Sequence, residues 1–96
     1  GGIVDLTGFE GQGPVRAAVD IPELEIKRGD HLTIDANVAP ALDRILAVED
    51  EAGVTRLYRV RSMDPMILER SRGPSTVYDP RYHRIRAVVV RLIRDL

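Results

Sequence analysis

Residues 84–96 read RIRAVVVRLIRDL, and the fold turns on whether this run is a helix or a strand. Five β-branched side chains, Ile85, Val88, Val89, Val90 and Ile93, lose rotamer freedom in a helix and pack well on a pleated surface. The run therefore reads as a strand. Simple alternation puts Ile85, Ala87, Val89 and Ile93 on one side and Val88, Val90 and Leu92 on the other. Both sides are apolar. In a small β domain one face ordinarily meets water, so the second apolar face asks for a cover. Another element of the same chain would serve, and so would a second copy of it.

The segments upstream are of the same kind. HLTIDA (31–36) alternates, with Leu32, Ile34 and Ala36 on one side and His31, Thr33 and Asp35 on the other, which predicts a half-buried strand. Residues 44–49 and 54–61 flank DEAG, a hairpin signal with Gly53 available for a positive φ. VRAAVDI (15–21) reads as a strand closed by Pro22, MILER (66–70) as a short strand and SRGPS (71–75) as a turn. TVYDPRYH (76–83) reads as an extended stretch broken by Pro80. Residues 1–15 carry five glycines and a proline, and predict a strand at Ile3–Leu6 and a loose loop. The opening Gly-Gly resembles a cloning remnant. The expected organisation is an N-terminal strand and loop (1–15, a linker remnant), then one β domain over 16–96. The expected fold is a mainly β, compact single domain of about seven short strands.

Ninety-six residues make one domain with a modest core, and 44% hydrophobic with 30% charged residues marks a globular chain. No apolar run reaches the roughly 20 residues that span a bilayer, so no membrane partner is expected. The absence of cysteine excludes disulfides and thiolate metal sites and fits a cytoplasmic setting. With His31 and His83 the only histidines, neither a metal nor another cofactor is expected. Charge is split along the chain: residues 1–55 hold 4 bases and 11 acids, residues 56–96 hold 10 bases and 4 acids, and all ten bases are arginine. Arginine pairs bidentately with carboxylates, so the plain reading is two halves facing each other within a fold or across a dimer. The sharper reading is a nucleic-acid surface made by Arg56, Arg59, Arg61, Arg84 and Arg86.

From Ile26 onward the order of motifs resembles the C-terminal domain of LexA-like and lambda-type repressors. IKRGDHLTIDAN (26–37) looks like that family's Gly-Asp turn feeding an apolar strand, and DRILAVEDEAGVTRLYRV (43–60) like its long hairpin. MILERSRGPSTVYDPRYHRIRAVVVRLIRDL (66–96) looks like its closing run. The resemblance implies a β-rich domain that dimerises, and so pairs DNA-binding units in a transcriptional regulator. DNA would then be reached only through a separate N-terminal domain. It also implies a place for a serine–lysine self-cleavage dyad. Those two places are occupied here by Ile21 and Thr55, so the resemblance implies a shell without the chemistry.

Ser62, in RSMDPM (61–66), is the other serine candidate, for a self-cleaving peptidase. A serine nucleophile needs a base that is neutral near pH 7, and arginine cannot serve. Lys27 is the only lysine; it precedes Ser62 and sits beside Arg28 at a turn. Ser62 and Asp64-Pro65 read as a strand end and a turn. His83 with Asp79 offers part of a Ser–His–Asp set, and Asp20, Glu23, Glu25, Asp30 and Asp35 an acidic cluster that reads as charged turns. GFEGQG (8–13) precedes no helix and makes a poor phosphate cradle. The expectation is therefore a non-enzymatic homodimerisation domain, open to a regulatory protein partner. Its interface is placed on Arg86, Val88, Val90 and Leu92, through which the closing strand pairs with its twin.

Overall fold

A computed structural model describes residues 5–7, 13–70 and 74–94. Its strands are β1 (Leu6–Thr7), β2 (Gly13–Ala17), β3 (His31–Asp35), β4 (Ile45–Glu49), β5 (Thr55–Met63), β6 (Met66–Glu69), β7 (Thr76–Val77) and β8 (Arg84–Ile93). They form a single sheet in the order β1-β2-β3-β8-β4-β5-β6-β7, with every pair antiparallel. The only helical segment among the described residues is a 3-10 turn at Pro22–Leu24, which the sequence reading left out. The mainly β single domain is as expected. The strand count rises to eight because the stretch 76–83, read as extended and broken by Pro80, supplies the two-residue edge strand β7.

The hairpin forms at the predicted place. Asp50 turns the chain: its Oδ1 accepts hydrogen bonds from the amides of Ala52 (2.9 Å) and Val54 (3.0 Å), and Gly53 adopts φ +80. β2 starts earlier and ends earlier than the expected 15–21. Ala17 donates its amide to the Asp30 carbonyl (2.9 Å) and Gly29 donates to the Ala17 carbonyl (2.8 Å), which turns the chain off the sheet. The expected strand at Ile3–Leu6 begins among residues outside those described. Leu6–Thr7 and Gly13–Val15 belong to the common sheet.

The sheet rolls up on itself. On its inner face Leu6, Val15, Ala17, Ile21, Leu24, Ile26, Leu32, Ile34, Ala47, Leu57, Ala87 and Val89 form one buried core. The segment 21–26 plugs it. Among the described residues β1 and β5 form no ladder, and side chains join them instead. β6 pairs with β5 only from Arg59 onward, so the outward amide of Leu57 lacks a strand partner; it donates to the buried Asp5 carboxylate (2.6 Å). Arg70 grips the same carboxylate through both terminal nitrogens, and Arg59 donates to the carbonyls of Glu23 and Leu24. On the outer face Leu46, Val48, Val60, Leu68 and Val88 form a second, smaller core, ringed by half-buried Val38, Tyr58, Met66, Tyr78 and Ile85.

β8 lies in the middle of the sheet and, as its composition requires, is buried on both faces over residues 87–89. Strict alternation holds only there. Between β4 and β8, Ala47 faces Ala87 but Val48 faces Ile85, so Arg86 is an extra residue. Between β3 and β8, Ile34 faces Val89 but Thr33 faces Arg91, so Val90 is a second. Each bulge inverts the side assignment beyond it. Ile85 thus packs with Val88 in the outer core, and Leu92 faces Leu32 on the inner side.

Candidate functional site

The arginine-rich second half is used largely to bind the acidic first half. Among the described residues, Arg56 pairs with Asp50 (3.0 Å), Arg86 with Glu49 (3.3 Å), Arg94 with Asp30 (2.8 Å) and Arg70 with Asp5. Arg61 pairs with Glu69 (3.1 Å) inside the second half. Of the five arginines read as a nucleic-acid surface, Arg56, Arg61 and Arg86 hold carboxylates and Arg59 holds backbone carbonyls. Only Arg84 is exposed without an ion pair among the described residues.

The chemical candidates fall apart from one another. Ser62 is half-buried on β5 opposite Ile67, and no lysine or histidine among the described residues hydrogen-bonds to it. Lys27 is exposed in the turn before β3, where its amide donates to Asp30 Oδ2 (2.8 Å). Ile21 and Thr55 are both buried, Ile21 in the inner core and Thr55 at the start of β5. His83 Nδ1 accepts from the Asp79 amide (2.9 Å), whereas a triad histidine donates from Nδ1 to a carboxylate. The Asp79 carboxylate is taken by Arg81, whose guanidinium pulls its pKa down to about 2. The acidic cluster is spent on turns: Asp20 accepts from the Arg28 amide, Asp35 from the Asn37 amide, and Asp30 from Lys27 and Arg94. No group of three or more metal-ligating acids or histidines exists among the described residues. No helix among them is long and apolar enough to cross a membrane.

The four residues chosen for an interface do not share a face. Val88 is fully buried in the outer core, and Arg86 is half-buried against Glu49. Val90 and Leu92 are 38% and 37% exposed, and Ile93, which alternation had set on the other side, is 44% exposed. Two strand lengths explain the exposure. β4 begins at Ile45, which faces Val89, so residues 90–93 of β8 run past its end. Their other edge is paired with β3 through Thr33, Leu32 and His31. Outside that ladder no backbone hydrogen bond of residues 90–93 occurs among the described residues. The overhang is held straight by Arg94. Its Nε donates to Asp30 Oδ1 (2.9 Å) and its Nη2 to Asp30 Oδ2 and the Glu25 carbonyl (2.8 and 2.9 Å). The Arg94 guanidinium, with the Lys27 amide, holds the buried Asp30 carboxyl below the usual carboxylate range against the opposing pull of burial. Beside this clamp lies a depression of about 570 Å³ lined by Asp20, Pro22, Glu25, Ile26, Lys27 and Arg94.

Composition pointed to β8 as the exposed apolar element. It carried no sign that the exposed apolar residues are confined to its last four positions, because that depends on where β4 begins. No family model matches the chain, and neither a curated protein nor a solved structure matches it.

Proposed function

We propose that the chain is a non-catalytic self-association domain that pairs DNA-binding units lying outside this sequence, as in a repressor-type transcriptional regulator. The observation that carries the reading is the β8 overhang: a strand end with one free edge and exposed Val90, Leu92 and Ile93. Such an edge is a template for another strand. The occupant it suits best is its own twin, because antiparallel pairing of identical segments is two-fold symmetric. For a two-fold axis normal to the sheet, the register is centred on a residue. Centring on Arg91 sets two guanidiniums opposite each other, which is unfavourable. Centring on Leu92 sets leucine against leucine and Arg91 against Ile93. The second register is the one we assign. Two tethered DNA-binding units held this way gain operator affinity through effective concentration.

Sedimentation of the chain tests the reading. The expected result is a concentration-dependent dimer that Leu92→Asp returns to monomer. A chain that stays monomeric at high micromolar concentration overturns it. The chain lacks cysteine, so Leu92→Cys also gives a single thiol. In the assigned register two of these sit within disulfide reach, Cα atoms about 5.5 Å apart.

A further inference from the structure

We propose that the outer face of β2, β3 and β8 binds a phosphoryl anion between Arg16 and Arg91. Register fixes which side chains share this face. Leu32 and Ile34 of β3 point into the inner core, so His31 and Thr33 point outward. Arg16 lies opposite His31 and Thr7 opposite Arg16; Pro14 and Arg91 flank Thr33; Ile93 lies opposite His31. Two guanidiniums therefore stand on the same face, with one strand between them. Arg16 and Arg91 lie two strands apart and two residues out of register, about 12 Å between Cα atoms, a span that two long arginine side chains bridge across β3.

Arg16 and Arg91 are exposed, and neither makes an ion pair among the described residues. That separates them from Arg56, Arg61, Arg70, Arg81, Arg86 and Arg94, each of which holds a carboxylate. Beside Arg16 the face is dished: Thr7, Pro14, Val15, Arg16 and His31 line a depression of about 330 Å³. The threonine hydroxyls of Thr7 and Thr33 are further donors on the same side. One planar carboxylate is satisfied by a single guanidinium fork. Two forks approaching from opposite sides, with hydroxyls beneath, match the several acceptor oxygens of a tetrahedral phosphoryl group. His31 is already engaged within the chain, so the arginines carry the site. All of these residues come from one copy, and strand pairing across the overhang leaves them on the outer face, so the site stands whether or not the chain dimerises.

The test is an amide chemical-shift titration of the whole chain with inorganic pyrophosphate, run beside acetate and a short DNA duplex. The expected result is saturable shifts at Arg16, His31, Thr33 and Arg91 with pyrophosphate and none with acetate. Arg16→Ala and Arg91→Ala should each weaken binding by about tenfold, the loss of one charged hydrogen-bonding pair. Arg44→Ala, an exposed arginine in the turn before β4, should leave it unchanged. Absent shifts, equal shifts with acetate, or binding unaltered in both variants overturns the proposal. So does duplex binding with a salt dependence of several phosphates, because the face is then a nucleic-acid surface.

Discussion

The two sides of the sheet solve the same problem differently. The inner core has twelve buried side chains, a plug at 21–26 and a seam closed by Asp5. The outer core has five, ringed by half-buried Val38, Tyr58, Met66, Tyr78 and Ile85. Both draw on β4 and β8, which alternate between them: Ala47, Ala87 and Val89 face in, Leu46, Val48 and Val88 face out. Two-sided burial is thus confined to the middle of the sheet. Where the outer cover ends, at residue 90, β8 is left with apolar side chains and a free edge. The same strand is core at one end and candidate interface at the other.

Truncating a leucine on each side tests the contrast most sharply. Leu32 belongs to the twelve-residue inner core, whereas Leu68 belongs to the five-residue outer core, whose rim of half-buried side chains can settle into a vacancy. Leucine-to-alanine costs run from about 2 to 5 kcal/mol, according to how far the surroundings collapse. Leu32→Ala is expected at the upper end, about 4–5 kcal/mol, and Leu68→Ala at about 2–3 kcal/mol. Urea midpoints at constant m-value measure both, and equal losses mean that the outer core is as tightly enclosed as the inner one.

Asp5 comes next. Asp5→Ala strands the Leu57 amide and leaves Arg70 without its buried partner, so a loss of about 3–4 kcal/mol is expected. Arg61→Ala, which removes a pair exposed on the arginine side, should cost less than about 0.5 kcal/mol. A small effect at Asp5 would show that the seam is closed by packing alone.

Acid titration separates the regions through their carboxylates. Asp30, Asp50 and Asp79 are all held below the ordinary value in the folded chain: Asp30 by Arg94, Asp50 chiefly by the Val54 amide, Asp79 by Arg81. A carboxylate with a depressed folded pKa adds stability that is complete above its unfolded value, about 3.9, and is lost as pH falls through the folded one. Stability should therefore hold steady from neutral pH to about 5 and fall from about 4 downward, for Asp79 through about 2. Asp30→Asn should flatten part of that slope and lower the neutral plateau, because Asp30 is buried at the plug. Asp79→Asn, on an Arg81 pair that is largely exposed, should flatten it with little change in the plateau. Urea unfolding of each variant at pH 3 and pH 7 reads the difference.

Much of this architecture is written in the residues. Alternation in residues 31–35 and the Asp-Glu-Ala-Gly turn are local signals, and both formed where they were read. The apolar character of both faces of β8 was also legible, because it is a matter of composition. Its side assignment was not. The extra residues at Arg86 and Val90 are an arginine and a valine, types common in any strand, and nothing in them marks a bulge. The Asp5 clamp was hidden for a different reason: it joins groups 52 and 65 positions apart, beyond any local pattern. The overhang followed the same rule. Apolar content pointed to residues 90–93, but their free edge exists only because β4 starts at Ile45.

The smallest expected effect concerns the two loops that serve the two cores. Glu25, in the plug, and Asp43, in the turn before β4, both adopt the left-handed region, with φ 58 and φ 66. Aspartate tolerates that region better than glutamate, because its short side chain bonds locally. Glycine relieves the strain but adds freedom to the unfolded chain, and the two nearly cancel, each worth about 1 kcal/mol. Glu25→Gly should therefore be neutral or stabilising by up to about 0.5 kcal/mol, since the hydrogen bond from Arg94 goes to the backbone carbonyl of residue 25, which glycine keeps. Asp43→Gly should be neutral or slightly destabilising, by a similar amount. If Glu25→Gly instead lowers the urea midpoint clearly, the Glu25 side chain contributes to the plug in its own right. The inner core would then depend on the side chains of its loop as well as on the loop's backbone.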